Sequence, residues 1–556
     1  MRFQDLPDDV LILLARLVLE TSDKKEASFK ANLPLLGVFR RWRQLVLPIV
    51  FREAYIYYGG SKVDMVASMR DLESGTEPEA ARLSTNMGLI VSSRCAHVVR
   101  AVHIYVFYIV SPLVGLSATV QFMRAAAEKW ERVDTLEVSI NSGVWSHGHE
   151  SGVDSYKNNA VIALTQVMPA VRQLGLSGAN NIPVVRRIYG DIAALYSDQL
   201  WAIDVDHTIY MSQDYVFKQL RRATLRYSSW YSSLIPRINP AELVSLELLG
   251  WPSAHSWAAF SADGNGESAD IEFPKLERLR ASYRKTFMAE GVVSQVVGEG
   301  QGRLAFPRLR ELDVDCSQST CPLLARAVLP AQMDRLSIDM TPSVLVSAPE
   351  MIVPLTEHIR VCIGDECGRD GRARGSAALA VANRMLEGAP GMRTTELCIA
   401  EDSLDVRSGT ISCVSLTRLE VCPEISAAIA LELIRSLPSL TDLTLKNVPM
   451  DSTQDVPTPE PEDGRPARPF DTRIRTLSLG VYERVWNSTL SVSFVEYLLL
   501  RIRTLVRLSA PNVPEDPVVE FVGRHFRRYP HLADIELDLD PDYSPDQLRY
   551  DPRFWP

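Results

Sequence analysis

Short apolar phrases recur along this chain between polar stretches, and the commonest has two apolar positions three apart and a third two further on. Examples are Val99/Val102/Ile104, Val133/Leu136/Val138, Leu243/Leu246/Leu248, Met333/Leu336/Ile338, Leu416/Leu419/Val421 and Leu505/Leu508/Ala510. A chain of this composition should contain the bare phrase roughly a dozen times by chance, so alone it establishes little. A longer form discriminates. Met168-Pro169-x-Val171-x-x-Leu174-x-Leu176, Phe306-Pro307-x-Leu309-x-x-Leu312-x-Val314, Leu437-Pro438-x-Leu440-x-x-Leu443-x-Leu445 and Tyr529-Pro530-x-Leu532-x-x-Ile535-x-Leu537 share an apolar-Pro step, and Phe273-Pro274-x-Leu276-x-x-Leu279-x-Ala281 is a weaker copy. Requiring the proline lowers the chance expectation to roughly 0.2–0.3 matches, which makes the phrase a repeat. Proline ends the preceding helix or loop, and Leu-x-x-Leu-x-Leu reads as a short strand that needs neighbours to bury its apolar side.

The first fifty residues carry a different period. Pro7 suits the first turn of a helix, and Asp8 and Asp9 complement the positive end of its dipole. Leu35, Val38, Phe39, Trp42, Leu45 and Val46 recur at three- and four-residue intervals on one helix face, with Arg40, Arg41 and Arg43 mostly off it. Two helices forming a small apolar clamp are predicted.

The opening Leu6-Pro7-Asp8-Asp9-Val10-Leu11 and the close Val38-Phe39-Arg40-Arg41-Trp42-Arg43 resemble an F-box. Phe39 stands where that family usually has Cys, and Thr21 to Asn32 reads as an insertion between the helices. The Pro-marked phrases resemble the irregular leucine-rich repeats that often follow an F-box. Together these resemblances imply an α/β protein with a short N-terminal helical module and an irregular leucine-rich-repeat solenoid bent into a horseshoe. The module spans residues 1–55, a helical linker 56–94, the solenoid 95–540 with an insertion at about 451–469, and a tail 541–556. They also imply a contact with a Skp-family adaptor through Leu6, Pro7, Val10, Leu11, Leu36, Val38, Arg40, Trp42 and Leu45, and through it with a cullin-RING ubiquitin ligase. The repeat surface would then hold an unknown protein substrate. The alternative is a leucine-rich-repeat scaffold without a ligase role, and a third reading is a hydrolase of unrecognised type.

Composition narrows the partners. With 556 residues and 46% hydrophobic positions there is ample material for a core. The net charge of -10 argues against nucleic acid, whose phosphates need clustered Lys and Arg. No segment reads as a membrane span: Val102 to Leu116 is too short and holds His103 and Pro112. Asp5, Asp8, Asp9 and Arg16 are unlike a secretory leader, so an intracellular setting, cytoplasmic or nuclear, is expected.

Candidate chemistry is sparse. The eight cysteines form neither a disulfide framework nor paired Cys-x-x-Cys zinc motifs, although Cys316/Cys321 and Cys362/Cys367 share a four-residue gap. His147-x-His149 sits in a Gly-rich polar stretch and reads as a solvated loop. No P-loop, dinucleotide fingerprint, nucleophile elbow or zincin motif is found. No cofactor, metal or catalytic residue is therefore expected.

Overall fold

A computed structural model describes residues 6–8, 10–13, 40–58, 83–107, 116, 119–121, 123–124, 130–141, 159–178, 183–206, 216–227, 237–250, 260, 270–283, 302–316, 321, 323, 327–347, 354–364, 371–387, 394–400, 411–448, 468–480 and 492–540. The chain divides into two compact units, Met1–Lys275 and Leu276–Pro556.

In the first unit the helix Arg40–Val50 runs through Phe51 and Arg52 into β1 (Glu53–Tyr58), and the Phe51 amide still donates to Leu47 O at 2.9 Å. β2 (Leu83–Thr85) lies antiparallel to one edge of β1, and β3 (Ala101–Phe107) lies parallel to the other. β4 (Thr135–Asn141), β5 (Gln173–Gly178) and β6 (Ala202–Asp206) continue the parallel ladder in chain order. The short β7 (Val216–Phe217) pairs outside it with β9 (Arg237–Ile238), while β8 (Arg222–Tyr227) and β10 (Ser245–Gly250) extend the main sheet. A further short strand, β11 (Ile271–Glu272), closes the unit.

Strict alternation separates the two faces of this sheet. Val102, Ile104 and Val106 of β3, Leu136, Val138 and Ile140 of β4, and Leu174 and Leu176 of β5 are buried in register on one face. The helix Pro183–Tyr196 is tied to the sheet. The Tyr189 hydroxyl accepts from Ile140 N at 2.9 Å and donates to Ser177 O, and the Tyr196 hydroxyl donates to Met168 O at 3.0 Å.

The second unit repeats the scheme. β12 (Arg278–Tyr283) pairs parallel with β14 (Glu311–Cys316), while β13 (Leu304–Ala305) pairs with β15 (Ala327–Val328) in a small separate sheet. From β14 the main ladder proceeds through β16 (Gln332–Met340), β17 (Leu355–Ile363), β18 (Thr394–Ile399), β19 (Arg418–Glu424), β20 (Asp442–Asn447), β21 (Thr476–Leu479), β22 (Arg507–Pro514) and β23 (Glu536–Asp540). Its crossovers include the helices Gly371–Glu387, Ala427–Ser436, Val492–Arg501 and Glu515–His525. Ser426 caps the second of these, its hydroxyl accepting from Ile429 N at 3.3 Å.

All five Pro-marked phrases lead into ladder strands: β5, β12, β14, β20 and β23. Met168, Phe273, Phe306, Leu437 and Tyr529, the apolar residues before the prolines, are all buried. Leu312 and Leu443 are buried at the phrase centres, whereas Ile535 is half-buried at the approach to the last described strand.

The expected horseshoe solenoid behind a separate N-terminal helical module is corrected by this architecture. Among the described residues the fold is an α/β arrangement with few helices, seven parallel strands in the main sheet of the first unit and ten in that of the second. No separate helical module stands at the N-terminus among the described residues, because the helix Arg40–Val50 feeds straight into the sheet. The reason is physical: a Leu-x-x-Leu-x-Leu strand with one apolar side serves any parallel sheet that packs one face inward, so the phrase specifies a strand and its register without specifying a curved repeat. Likewise the span read as a helical linker contributes the end of β1, β2 and the helix Met87–Ser92. The His147-x-His149 stretch, the insertion at 451–467 and the tail 541–556 lie outside the described residues.

Candidate functional site

The polar face of the first unit gathers titratable groups where β1, β3 and β4 run side by side. In register, Tyr55 of β1 sits beside His103 of β3, which sits beside Glu137 of β4. The His103 side chain is only 4% exposed although it lies on the polar face. Its Nδ1 is 2.6 Å from Glu137 Oε2, its Nε2 is 3.5 Å from Glu53 Oε2, and its ring stacks on Tyr55 with centroids 4.9 Å apart. The Tyr55 hydroxyl in turn donates to Glu53. One step along the strands, Tyr57 and Tyr105 stack at 4.8 Å.

Local devices hold these groups. Buried Asn86 reaches β1 from beyond β2: its Oδ1 accepts from Tyr55 N at 2.8 Å and its Nδ2 donates to Glu53 O at 3.0 Å. On the other side Gly175 of β5 leaves room for Glu137, since a Cβ there would lie 3.0 Å from Glu137 Cγ. Further along the same face Arg226 of β8 pairs with Asp204 of β6 at 2.6 Å.

Burial works against a charged His103, but the hydrogen bond to Glu137 and the nearby Glu53 carboxylate outweigh it and raise its pKa above the ordinary 6.5. Burial also pushes the neighbouring Tyr105 phenol up to about 12, with the Glu137 carboxylate adding to the effect. A raised folded-state pKa means that His103 contributes stability that is fully present below the unfolded pKa and is lost as pH rises through the folded one. We expect His103→Gln to remove that component. In urea titrations across pH 5–9, stability of the native chain should fall with rising pH more steeply than that of the variant, and parallel curves would refute the assignment.

His103 Nδ1 is hydrogen-bonded to the Glu137 carboxylate, and the two carboxylates beside the ring favour its protonated form. No group of three His, Cys, Asp or Glu side chains among the described residues is arranged to hold a metal ion. The arrangement suits recognition: two partly exposed carboxylates and stacked phenol rings on a sheet face. Periodicity missed this site because His103 and Glu137 occupy the unspecified position of their phrases. Aligning Val102-His103-Ile104 with Leu136-Glu137-Val138 does pair them.

The residues expected to contact an adaptor are distributed as follows. Leu11 and Trp42 are buried together with Val46, and Leu6, Leu45, Ile49 and Val50 pack around them. Trp42, the aromatic residue of the closing motif, is 2% exposed within its own chain. Val10 is half-buried and Pro7 exposed. Arg40 opens the helix Arg40–Val50, while Leu36 and Val38 lie outside the described residues. The Arg41 Nε donates to Asp8 Oδ1 at 2.8 Å, fastening the first segment to this helix. Leu13, which the motif did not single out, is 58% exposed beside this cluster in sequence.

Among the described residues no helix is long and apolar enough to cross a membrane. Comparison with models of known protein families and with curated proteins finds no match to this chain.

Proposed function

We propose that this chain is a non-catalytic, intracellular substrate-recognition adaptor. Its N-terminal segment would engage a Skp-family adaptor, and through it a cullin-RING ubiquitin ligase, while its exposed polar sheet faces would hold a protein target. Such a subunit does no bond chemistry and acts by holding a target lysine near the loaded enzyme. The observation that carries the reading is the pairing of residues 6–13 with the helix Arg40–Val50. Its inner side is filled by Leu11, Trp42 and Val46, and it leaves Pro7 and Leu13 exposed for a partner. The F-box resemblance of the same residues supports this, and the net charge of -10 agrees with a protein partner in preference to a nucleic acid.

Because Trp42 is spent on internal packing, the contact is assigned to the exposed side. Leu13→Asp should lower co-purification with a Skp-type adaptor at least about tenfold, the scale of one interface anchor, and should leave thermal unfolding unchanged. Equal recovery of variant and native chains would defeat the assignment to this surface. Failure of the native chain to bind at all would favour a protein-binding scaffold without a ligase role.

A further inference from the structure

Three cysteines from distant parts of the sequence meet on the second unit's sheet. Cys362 lies near the carboxyl end of β17, Cys398 is its register partner on β18, and Cys422 lies on β19 two residues beyond Glu420, the register partner of Cys398. All three thiols are free. Cys362 and Cys398 are each 5% exposed, whereas Cys422 is half-exposed and opens the row to solvent. The neighbouring Cys362 thiol raises the Cys398 pKa and the Cys422 thiol lowers it, while the Cys422 thiol donates to Glu420 Oε1 at 3.9 Å. Charged neighbours frame the row, with Lys446 of β20 paired to Glu420 of β19 on the open side.

We propose that Cys362 and Cys398 are a reversible dithiol site that is oxidised to a cross-strand disulfide by a low-molecular-weight disulfide such as oxidised glutathione. Neighbouring strands lie about 4.8 Å apart, which falls inside the roughly 4.4–6.8 Å Cα separation a disulfide accepts. One thiolate of the pair opens the dissolved disulfide, forming a mixed disulfide and releasing one small thiol. The other attacks the protein sulfur of that mixed disulfide, and the second small thiol leaves. The protein has then lost two hydrogens and two electrons, and one oxidant molecule has become two thiols. Cys422 opens the row to solvent and takes no part in the bond. Of the other buried thiols described in this unit, Cys316 lies in register with Met340 and Cys413 is 3.3 Å from the Ser415 hydroxyl.

The neighbouring Cys362 thiol, with burial, pushes the Cys398 thiol up to about 12, so oxidation should be slow at neutral pH and should accelerate about tenfold per pH unit as the thiolate fraction grows.

The full-length chain would be incubated with oxidised glutathione at pH 7 and pH 9, quenched in acid, and mapped by mass spectrometry without reduction after trapping of free thiols. A peptide joining Cys362 to Cys398 is expected, reversible by dithiothreitol. It should be lost in Cys398→Ser and retained in Cys422→Ser. Persistent trapping of Cys362 and Cys398 as free thiols in the native chain would overturn the proposal. A bond between Cys398 and Cys422, or a link that forms only in denaturant, would overturn it as well, and none of these readings depends on a variant folding.

Discussion

Replacing Gly178 with alanine is expected to be among the most damaging single substitutions in the first unit. Gly178 ends β5 at φ +113°, a conformation that L side chains rarely adopt, and it does so directly against β4. A Cβ at this position would stand 2.2 Å from Ile140 O and 2.7 Å from Ile140 C, both backbone atoms that cannot swing aside. Strain of about 1–3 kcal/mol from the backbone conformation therefore adds to a clash that only strand separation relieves. The total should reach about 4 kcal/mol, at the upper end of what point substitutions do. Ile140 N is also the donor to the Tyr189 hydroxyl, so displacing it would loosen the helix Pro183–Tyr196 as well. Urea unfolding should show the midpoint falling with Gly178→Ala while Gly88→Ala, where nothing lies within 4 Å of the added atom, stays near the native value. Equal midpoints would mean that β5 ends differently.

The second large effect is expected at Trp42. Truncating a buried Trp typically costs about 3–5 kcal/mol, and here it would hollow out the cluster with Leu11 and Val46 that joins residues 6–13 to the helix Arg40–Val50. Asp8 and Arg41 would remain, but an exposed ion pair contributes only about 0–1 kcal/mol and cannot hold the segment alone. Hydrogen exchange should show loss of protection across residues 40–50 in Trp42→Ala, with the strands of the second unit unaffected. The contrast with Leu13→Asp separates packing from binding. Trp42→Ala should lose adaptor recovery together with stability, Leu13→Asp recovery alone.

These expectations also measure how far the sequence could be read. The Pro-marked phrases located five strands and their inward residues because a proline, a turn and a one-sided strand leave a local imprint. Leu312 and Leu443 are buried accordingly. Ile535 carries the same imprint but is only half-buried, because β23 is paired on one side alone among the described strands. The α/β arrangement was legible, whereas the long parallel ladders and the course of the N-terminal helix were not. Whether a one-sided strand joins a curved repeat or another parallel sheet depends on crossover packing, and helical periodicity cannot tell a free-standing hairpin from a helix that feeds a strand.

The chemistry was less legible still. His103 and Glu137 lie 34 residues apart, as do no two members of any local motif, and become neighbours only through register. Cys362 stands out in sequence only by its four-residue gap to Cys367, whereas its register neighbour is Cys398 on the next strand. In both cases the informative comparison is between equivalent positions of successive phrases, since strand register, rather than distance along the chain, decides which side chains touch.

The ladders share one property with consequences for how such a chain can change over generations. Within each unit every main strand hydrogen-bonds the preceding and following main strands in chain order, as when Arg310 N reaches Glu277 O and Asp334 N reaches Arg310 O. The entropic cost of a longer crossover loop grows only with the logarithm of its length. A duplication of one strand with its crossover would therefore add a rung without re-registering those on either side. Deletion would remove one just as cleanly. The lineage can thus vary its polar sheet face by whole rungs, altering reach and charge in increments while the hydrogen-bonded frame persists.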